Sequence, residues 1–367
     1  MNKLGIVITD GVGYRNYILS DFISASKQTF DEVVIFSCLP KSVYTTLPEN
    51  CTIVELEVFQ EKFPTWFFRK AKELTHLYLN AKGNFGIQDN LNTNHSTAKT
   101  PRGFATRLLH KWAKKVHSEK WIQRYNWLQQ KTFQLNPIMQ QYQKLLKRHQ
   151  VTLLFFTHQR PPYIAPLIYA AERLKIKTVA FIFSWDNLAS KSRMAGNFNY
   201  FLVWSDLMQQ ELLQFYPTIK AAQIAVVGTP QFEPYVLDRY QISKDDLIKI
   251  FDLDAQKPIL LFTCNDSSSE NDPIYLELVA RFIATNQLVK EVNLVVRTSP
   301  AEDPIRFKKL AEQFSFIHWN YPDWKLSRNN HQEAWSQRVP SFQDIVHLRG
   351  LLSHCDLCIN VLSTITH

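Results

Sequence analysis

The chain has 367 residues and a mass of 43.0 kDa, more than one hydrophobic core supports, so two domains are expected. Its 45% hydrophobic and 20% charged residues exclude a disordered, fibrous or collagen-like protein. Lys and Arg number 42 against 33 Asp and Glu, and the resulting net charge of +9 favours anionic partners.

Residues 4–9 read as a buried strand, followed by Gly11-Val12-Gly13, a helix over 17–26 and a second strand at 33–36. Glycine is scarce, nine in all, and three fall in the first 13 residues, so a backbone reason is expected for them. The loop at 10–16 follows the first strand at its carboxyl end, where open α/β sheets bind ligands. A dinucleotide fingerprint would need a third glycine at position 16; Asn16 stands there, so NAD or FAD is not expected. Asp10 is a candidate general base, with a helix cap as its structural alternative. Arg15 is a candidate anion contact.

Residues 63–149 carry little strand pattern and are rich in Trp, Lys, Arg, Gln and His, which reads as a helical insert with a flexible part near 82–102. Between Arg102 and Arg124, seven basic residues and one acid, Glu119, interleave with Phe104, Leu108, Leu109, Trp112, Val116 and Trp121. Such a segment either lies on an anionic membrane surface or docks on its own domain with a solvated basic face.

Apolar runs at 153–156, 179–183, 201–204 and 224–227 continue the first unit as strands, alternating with amphipathic stretches, which implies a parallel sheet covered on both faces. His158, just after the run at 153–156, is a second candidate base, because histidine is the side chain whose ordinary pKa lies near neutrality. Ser184, Trp185, Asp186, Asn187 and Lys191 surround one aromatic with hydrogen-bonding groups, a composition suited to a sugar, with a structural Asx turn as the alternative.

A polar linker at 238–256 separates a second series, with strands at 259–262, 294–296, 316–318 and 357–360 and helices near 274–285, 305–314 and 345–353. Its strand ends carry Asn265, Arg297, Ser299, Ser363 and Thr364, donors and a cation gathered on one sheet edge as a diphosphate requires. Five scattered cysteines suit reduced thiols, and Cys355-x-x-Cys358 reads as core packing, so no metal is expected.

Ser184-Trp185-Asp186-Asn187-Leu188 with Lys191, then Val203-Trp204-Ser205-Asp206 and Val227-Gly228-Thr229-Pro230-Gln231-Phe232, resemble bacterial GT-B glycosyltransferases of surface-carbohydrate assembly, and more distantly the CDP-glycerol glycerophosphotransferases. The resemblance implies two Rossmann-like, doubly wound domains facing a cleft. Residues 1–237 would be the acceptor side and 257–367 an incomplete donor domain, because the Glu-Ala pair that follows the Ser-Thr turn in such enzymes is missing before His367. It implies a sugar moved from a nucleotide-sugar to a surface-polysaccharide or lipid-linked glycan, without cofactor or metal. Asn265, Arg297, Ser299, Ser363 and Thr364 would hold the donor. Gly11, Gly13, Arg15, Asn16, Ser184, Trp185, Asp186, Asn187 and Lys191 would hold the acceptor, with Asp10 or His158 as base. A polyol-phosphate transferase and a silent membrane- or polyanion-binding scaffold are the alternatives; nucleic acid is not expected as a partner. The N-terminal apolar run is too short for a signal peptide and no stretch approaches the ~18 apolar residues of a spanning helix, so a cytoplasmic location, peripheral on the inner face of the plasma membrane through 102–124, is the expectation.

Overall fold

The computed structural model describes residues 2–45, 51–134, 136–266 and 269–360. Its two compact units divide the chain differently from the predicted boundaries. Unit 1 comprises Met1–Thr9 and Asp21–Pro230, and unit 2 comprises Asp10–Ser20 and Gln231–His367. The chain therefore passes into unit 2 directly after its first strand, returns, and passes over again after Pro230.

Unit 1 is built on seven parallel strands: β1 (Lys3–Ile8), β2 (Glu32–Ser37), β3 (Cys51–Glu55), β4 (Leu153–Phe156), β5 (Lys177–Phe181), β6 (Tyr200–Val203) and β7 (Ile224–Val226). Their order is β3-β2-β1-β4-β5-β6-β7, doubly wound about β1. Ile6, Val7, Ile8 and the run from Val33 to Phe36 are all buried, the near-continuous apolar pattern of parallel strands covered on both faces. β3, which has no buried residue, was not predicted from the sequence.

The segment between β1 and β2 holds α1 (Gly11–Tyr17), which belongs to unit 2, and α2 (Phe22–Ser26) in unit 1. Residues 10–16, expected as a loop, are thus the first turns of a helix. The insert is α3 (Phe63–Asn80), α4 (Phe85–Thr93), α5 (Pro101–Lys115), α6 (Glu119–Phe133) and α7 (Pro137–His149). The stretch predicted to be flexible contains α4, started by Asn84, whose Oδ1 accepts the Ile87 N–H at 3.0 Å. The basic segment is two helices, α5 ending at Lys115 and α6 opened by the Ser118 cap. Then follow α8 (Ala165–Arg173), α9 (Asn187–Ser190) and α10 (Asp206–Phe215).

Where α3 meets α6 the packing is polar. Lys72 is fully buried and its Nζ donates to Asn126 Oδ1 and to the Ala195 carbonyl, both at 3.0 Å. A neutral amine has two N–H donors, and two acceptors are present. Burial, outweighing the attraction of Glu73, brings the Lys72 amine down to about 7. Nearby, Arg193 is bound to Glu119 at 2.6 Å, joining the loop after α9 to the start of α6.

Unit 2 has α11 (Lys244–Phe251), α12 (Asp272–Ala284), α13 (Lys308–Gln313) and α14 (Phe342–His354), with parallel strands β8 (Ile259–Thr263), β9 (Asn293–Arg297), β10 (His318–Asn320) and β13 (Leu357–Asn360) in the order β10-β9-β8-β13. Between β10 and α14 lies an antiparallel pair, β11 (Trp324–Leu326) and β12 (Arg338–Pro340). Alternate strand residues feed two cores. Leu260, Phe262, Leu294 and Val296 pack with Leu276 and Ala280 of α12 and Leu310 of α13, while Ile259, Leu261 and Val295 pack with Leu247 of α11 and Leu351 of α14. The predicted linker at 238–256 is therefore part of unit 2: Leu247 lies in its core, the Tyr240 hydroxyl donates to the Leu19 carbonyl, and Arg349 donates to the carbonyls of Pro234 and Leu237.

Gly11 explains how α1 docks. A Cβ there would lie 1.7 Å from the Arg338 carbonyl oxygen of β12, so only glycine permits this approach. Gly11→Ala is expected to destabilise unit 2 by a few kcal/mol, seen as a lowered urea midpoint; an unchanged midpoint would show that α1 does not depend on this contact.

Lys72 gives a pH signature. Its folded pKa lies below the unfolded value, so between about pH 7 and the ordinary lysine range of ~10.4 the unfolded chain binds more protons and stability rises with pH, by up to about 1.4 kcal/mol per unit. Lys72→Met is expected to flatten that rise in chemical denaturation, and parallel stability–pH curves for both proteins would refute it.

Candidate functional site

The carboxyl edge of the unit 2 sheet ends in a polar row. Asn320 of β10 pairs in register with Arg297 of β9, Arg297 with Thr263 of β8, and Thr263 with Asn360 of β13. Parallel α/β sheets bind ligands at this edge. A cavity of about 720 Å³ opens here, lined by Thr263, Asn265, Arg297, Ser299, Trp324 and Arg15 among others. Three of the predicted donor residues, Asn265, Arg297 and Ser299, thus share one cavity. Ser363 and Thr364 lie outside the described residues.

Each wall is held by hydrogen bonds that the sequence did not disclose. Arg297 is buried; its Nη2 lies 2.9 Å from Asp344 Oδ2 and its Nη1 donates to Asn320 Oδ1. Asp344, at the start of α14, is fully engaged: Oδ2 also accepts the Trp324 indole N–H at 2.8 Å, and Oδ1 accepts the Asp323 N–H at 3.1 Å. After β8, Asp272 takes the Asn265 N–H at 2.6 Å and the Ser269 hydroxyl, while Arg306 donates to the carbonyls of Asn265, Asp266 and Ser269. Ser299 Oγ accepts the Ala301 N–H at 3.2 Å. A ligand therefore meets a wall already in place.

The helix N-termini beside this edge carry acidic residues. Asp272 occupies the first turn of α12 and Asp344 that of α14, so each positive helix end already has a carboxylate. Arg297 is neutralised by Asp344. Arg15 is the second guanidinium of the cavity. It is half-buried, 6.0 Å from the Trp324 ring centroid, and its Nε donates to Asn16 Oδ1 at 3.0 Å. Burial and the neighbouring Arg297 lower its pKa, against the pull of Tyr235, Asp344 and Asp10. One carboxylate between two guanidiniums leaves a net positive wall, which suits an anion.

Gly11, Gly13, Arg15 and Asn16, read from the sequence as part of the first, acceptor-side domain, thus lie in unit 2, and Arg15 lines the unit 2 cavity. Asp10 is fully buried and its Oδ1 accepts the Gly13 N–H at 2.8 Å, capping α1. The glycine spacing pointed to a close approach; the partner, a carbonyl more than 300 residues away in sequence, left no local sign.

The remaining predicted residues lie at the carboxyl edge of the unit 1 sheet. His158 follows β4, is buried, and stacks on Phe183 with centroids 3.9 Å apart. Gln159 ties the next loop, its Oε1 accepting the Phe183 N–H and its Nε2 donating to Asn187 Oδ1, both at 3.1 Å. Asp186 accepts the hydroxyls of Ser184 at 2.7 Å and Ser190 at 2.8 Å, with Lys191 at 4.0 Å. Burial raises its pKa, but those hydroxyls and Lys191 outweigh this and hold it below the usual range. Its acceptors are thus engaged within the loop, whereas Trp185 stays exposed. Cys355 closes α14 and Cys358 lies on β13; among the described residues no three His, Cys, Asp or Glu side chains converge to hold a metal.

No family model matches the chain, and no curated protein matches it. Solved structures do. A putative UDP-N-acetylglucosamine 2-epimerase from Listeria monocytogenes is similar at a TM-score of 0.52 and 9% identity, over 99% of this chain and 75% of that one. The fold is GT-B. A glycosyltransferase from Rickettsia africae has a TM-score of 0.48 at 12% identity, over 97% of this chain and 72% of that one. A UDP-GlcNAc 2-epimerase from Neisseria meningitidis, bound to UDP-GlcNAc, has 0.46 at 11%, over 98% and 77%. At such identities the GT-B likeness defines architecture, and the chemistry rests on the residues above.

Asp344→Ala would leave the Arg297 guanidinium buried without its carboxylate. The expected cost is about 3–5 kcal/mol, measured by urea unfolding; a loss under about 1 kcal/mol would mean the pair does not hold this wall.

Proposed function

We propose that the chain transfers a sugar from a nucleotide-sugar to a surface-polysaccharide or lipid-linked glycan acceptor, with the donor diphosphate in the unit 2 cavity. The observation that carries the reading is the net positive, pre-ordered cavity at the carboxyl ends of β8 and β9, lined by Arg15, Arg297, Asn265 and Ser299. Its volume of about 720 Å³ falls within the ~300–1,000 Å³ range of small-molecule sites. Arg15 and Arg297 would oppose the charge that develops on the leaving diphosphate, a role electrostatics performs without a metal ion.

His158 is the better base of the two candidates. Asp10 has a carboxylate oxygen committed to the Gly13 N–H, so its role in this proposal is to hold α1, and with it Arg15, in place. The imidazole would take the acceptor hydroxyl's proton as the oxygen attacks the anomeric carbon and the bond to the diphosphate breaks. The loop carrying Ser184, Trp185, Asp186, Asn187 and Lys191 would receive the acceptor, with the exposed Trp185 ring packing on sugar C–H surfaces.

Thermal-shift measurements against UDP, GDP, CDP and their sugar conjugates test the donor site, since a ligand of the folded state raises the melting temperature. One nucleotide family is expected to shift it, and Arg15→Ala to weaken that ligand by about tenfold or more while leaving the unliganded melting temperature unchanged. Selective stabilisation by CDP-polyols would favour polyol-phosphate transfer instead. No shift by any nucleotide would overturn the proposal. His158→Ala should lower turnover by about a hundredfold or more without changing nucleotide affinity; unaltered turnover would remove His158 from the reaction.

A further inference from the structure

Helices α5 and α6 bury one side of each and leave the other without a protein partner among the described residues. On α5, Ala105, Leu109 and Ala113 are buried; on α6, Ile122, Tyr125 and Phe133 are. These account for half of the apolar residues. Of the other six, Trp121 and Leu128 are half-buried against the core and four point outward: Phe104 is 66% exposed, Leu108 52%, Trp112 48% and Trp127 54%. Phe104, Leu108, Lys111 and Lys115 recur at steps of four, three and four, and Lys120, Arg124, Trp127 and Lys131 repeat the same steps, so each set forms one stripe.

The two helices are joined. The Trp112 indole N–H donates to the Tyr125 hydroxyl at 2.8 Å, and the Trp112 and Trp121 rings meet edge to face at 6.2 Å. Cations sit beside the rings, with the Arg124 guanidinium 5.2 Å from the Trp121 centroid and Lys131 Nζ 5.2 Å from that of Trp127. Residues 101–133 contain eight Lys and Arg against one acid, and that acid, Glu119, is committed to Arg193.

We infer that the outward face of α5 and α6 docks on an anionic phospholipid surface, with Phe104, Leu108, Trp112 and Trp127 at the headgroup level and Lys111, Lys115, Lys120, Arg124 and Lys131 on lipid phosphates. The pairing of exposed rings with long cationic side chains decides the occupant. A soluble polyanion would use the charge and leave Phe104 and Leu108 in water, and a second copy of this chain would bring two cationic faces together. Both membrane terms are present: buried aromatic area and attraction to acidic headgroups. No helix among the described residues is long and apolar enough to cross a membrane, so the contact is made in the interfacial plane. The face goes beyond the sugar-transfer reading and does not depend on it.

Co-sedimentation of the full chain with phosphatidylglycerol–phosphatidylcholine vesicles, against vesicles of phosphatidylcholine alone, tests this. Binding is expected only with the anionic lipid, weakening as salt is raised. Lys111→Glu with Lys115→Glu and Lys131→Glu should lower partition by about tenfold or more, and so should Phe104→Ser with Leu108→Ser. Unchanged circular dichroism and an unchanged melting temperature would confirm that both variants are folded. Equal binding to neutral vesicles, no binding at all, or a lipid-free dimer that Phe104→Ser with Leu108→Ser converts to monomer would each overturn the inference.

Discussion

The buried contact between Arg297 and Asp344 is the joint on which unit 2 depends. It fastens the end of β9 to the first turn of α14, and through Asn320 and Trp324 it includes the end of β10 and the start of β11. A guanidinium and a carboxylate inside a protein are tolerable only when their remaining hydrogen-bonding positions are met. Here the Asp323 N–H, the Trp324 indole and the Asn320 amide oxygen meet them. Four segments separated in sequence thereby acquire one fixed geometry, and the cavity wall follows from it.

With Arg297 so committed, Arg15 is the other guanidinium that lines the cavity. That residue is delivered by a segment from the far end of the chain, held by the Asp10 cap, by the bare Cα of Gly11 against the Arg338 carbonyl and by the Tyr240 hydroxyl on the Leu19 carbonyl. The loop after β8 is set in the same way, by Asp272 and Arg306. The site is thus ordered before a ligand arrives, which lowers the entropy lost on binding.

Both sheets were legible because parallel strands buried on two faces leave apolar runs that need no partner to be recognised. The runs at 33–36, 153–156 and 259–262 fall within β2, β4 and β8. The third strand of unit 2 was placed slightly early, at 316–318 against His318–Asn320, because its polar end looks like a loop. β11 and β12, three residues each, are too short to be seen, and β3, which buries none of its residues, was missed. Asn265, Arg297 and Ser299 follow apolar runs that were legible as strands, which is why the sequence could place them together on one cavity. The allegiance of residues 10–20 was not legible, since what decides it is a carbonyl on β12, and one sequence carries no sign of so distant a contact. Charge spacing in α5 was visible as well; which of its apolar residues turn inward became clear only with α3 and α6 in place.

Unit 2 is a discontinuous domain, and this bears on how it is made. Asp10–Ser20 leaves the ribosome before the rest of unit 2, and its docking surface on β12 appears only after residues 21–340 have been synthesised. Unit 1 can assemble its sheet in the meantime, with β1 pairing β2 and β4, while the eleven residues that follow β1 wait for their partner. Closing a loop of that length carries an entropic cost that grows slowly with its length, but the search is slow. Maturation of the cavity should therefore be the last event of folding, and residues 231–367 produced alone would lack Arg15 however well their own sheet formed.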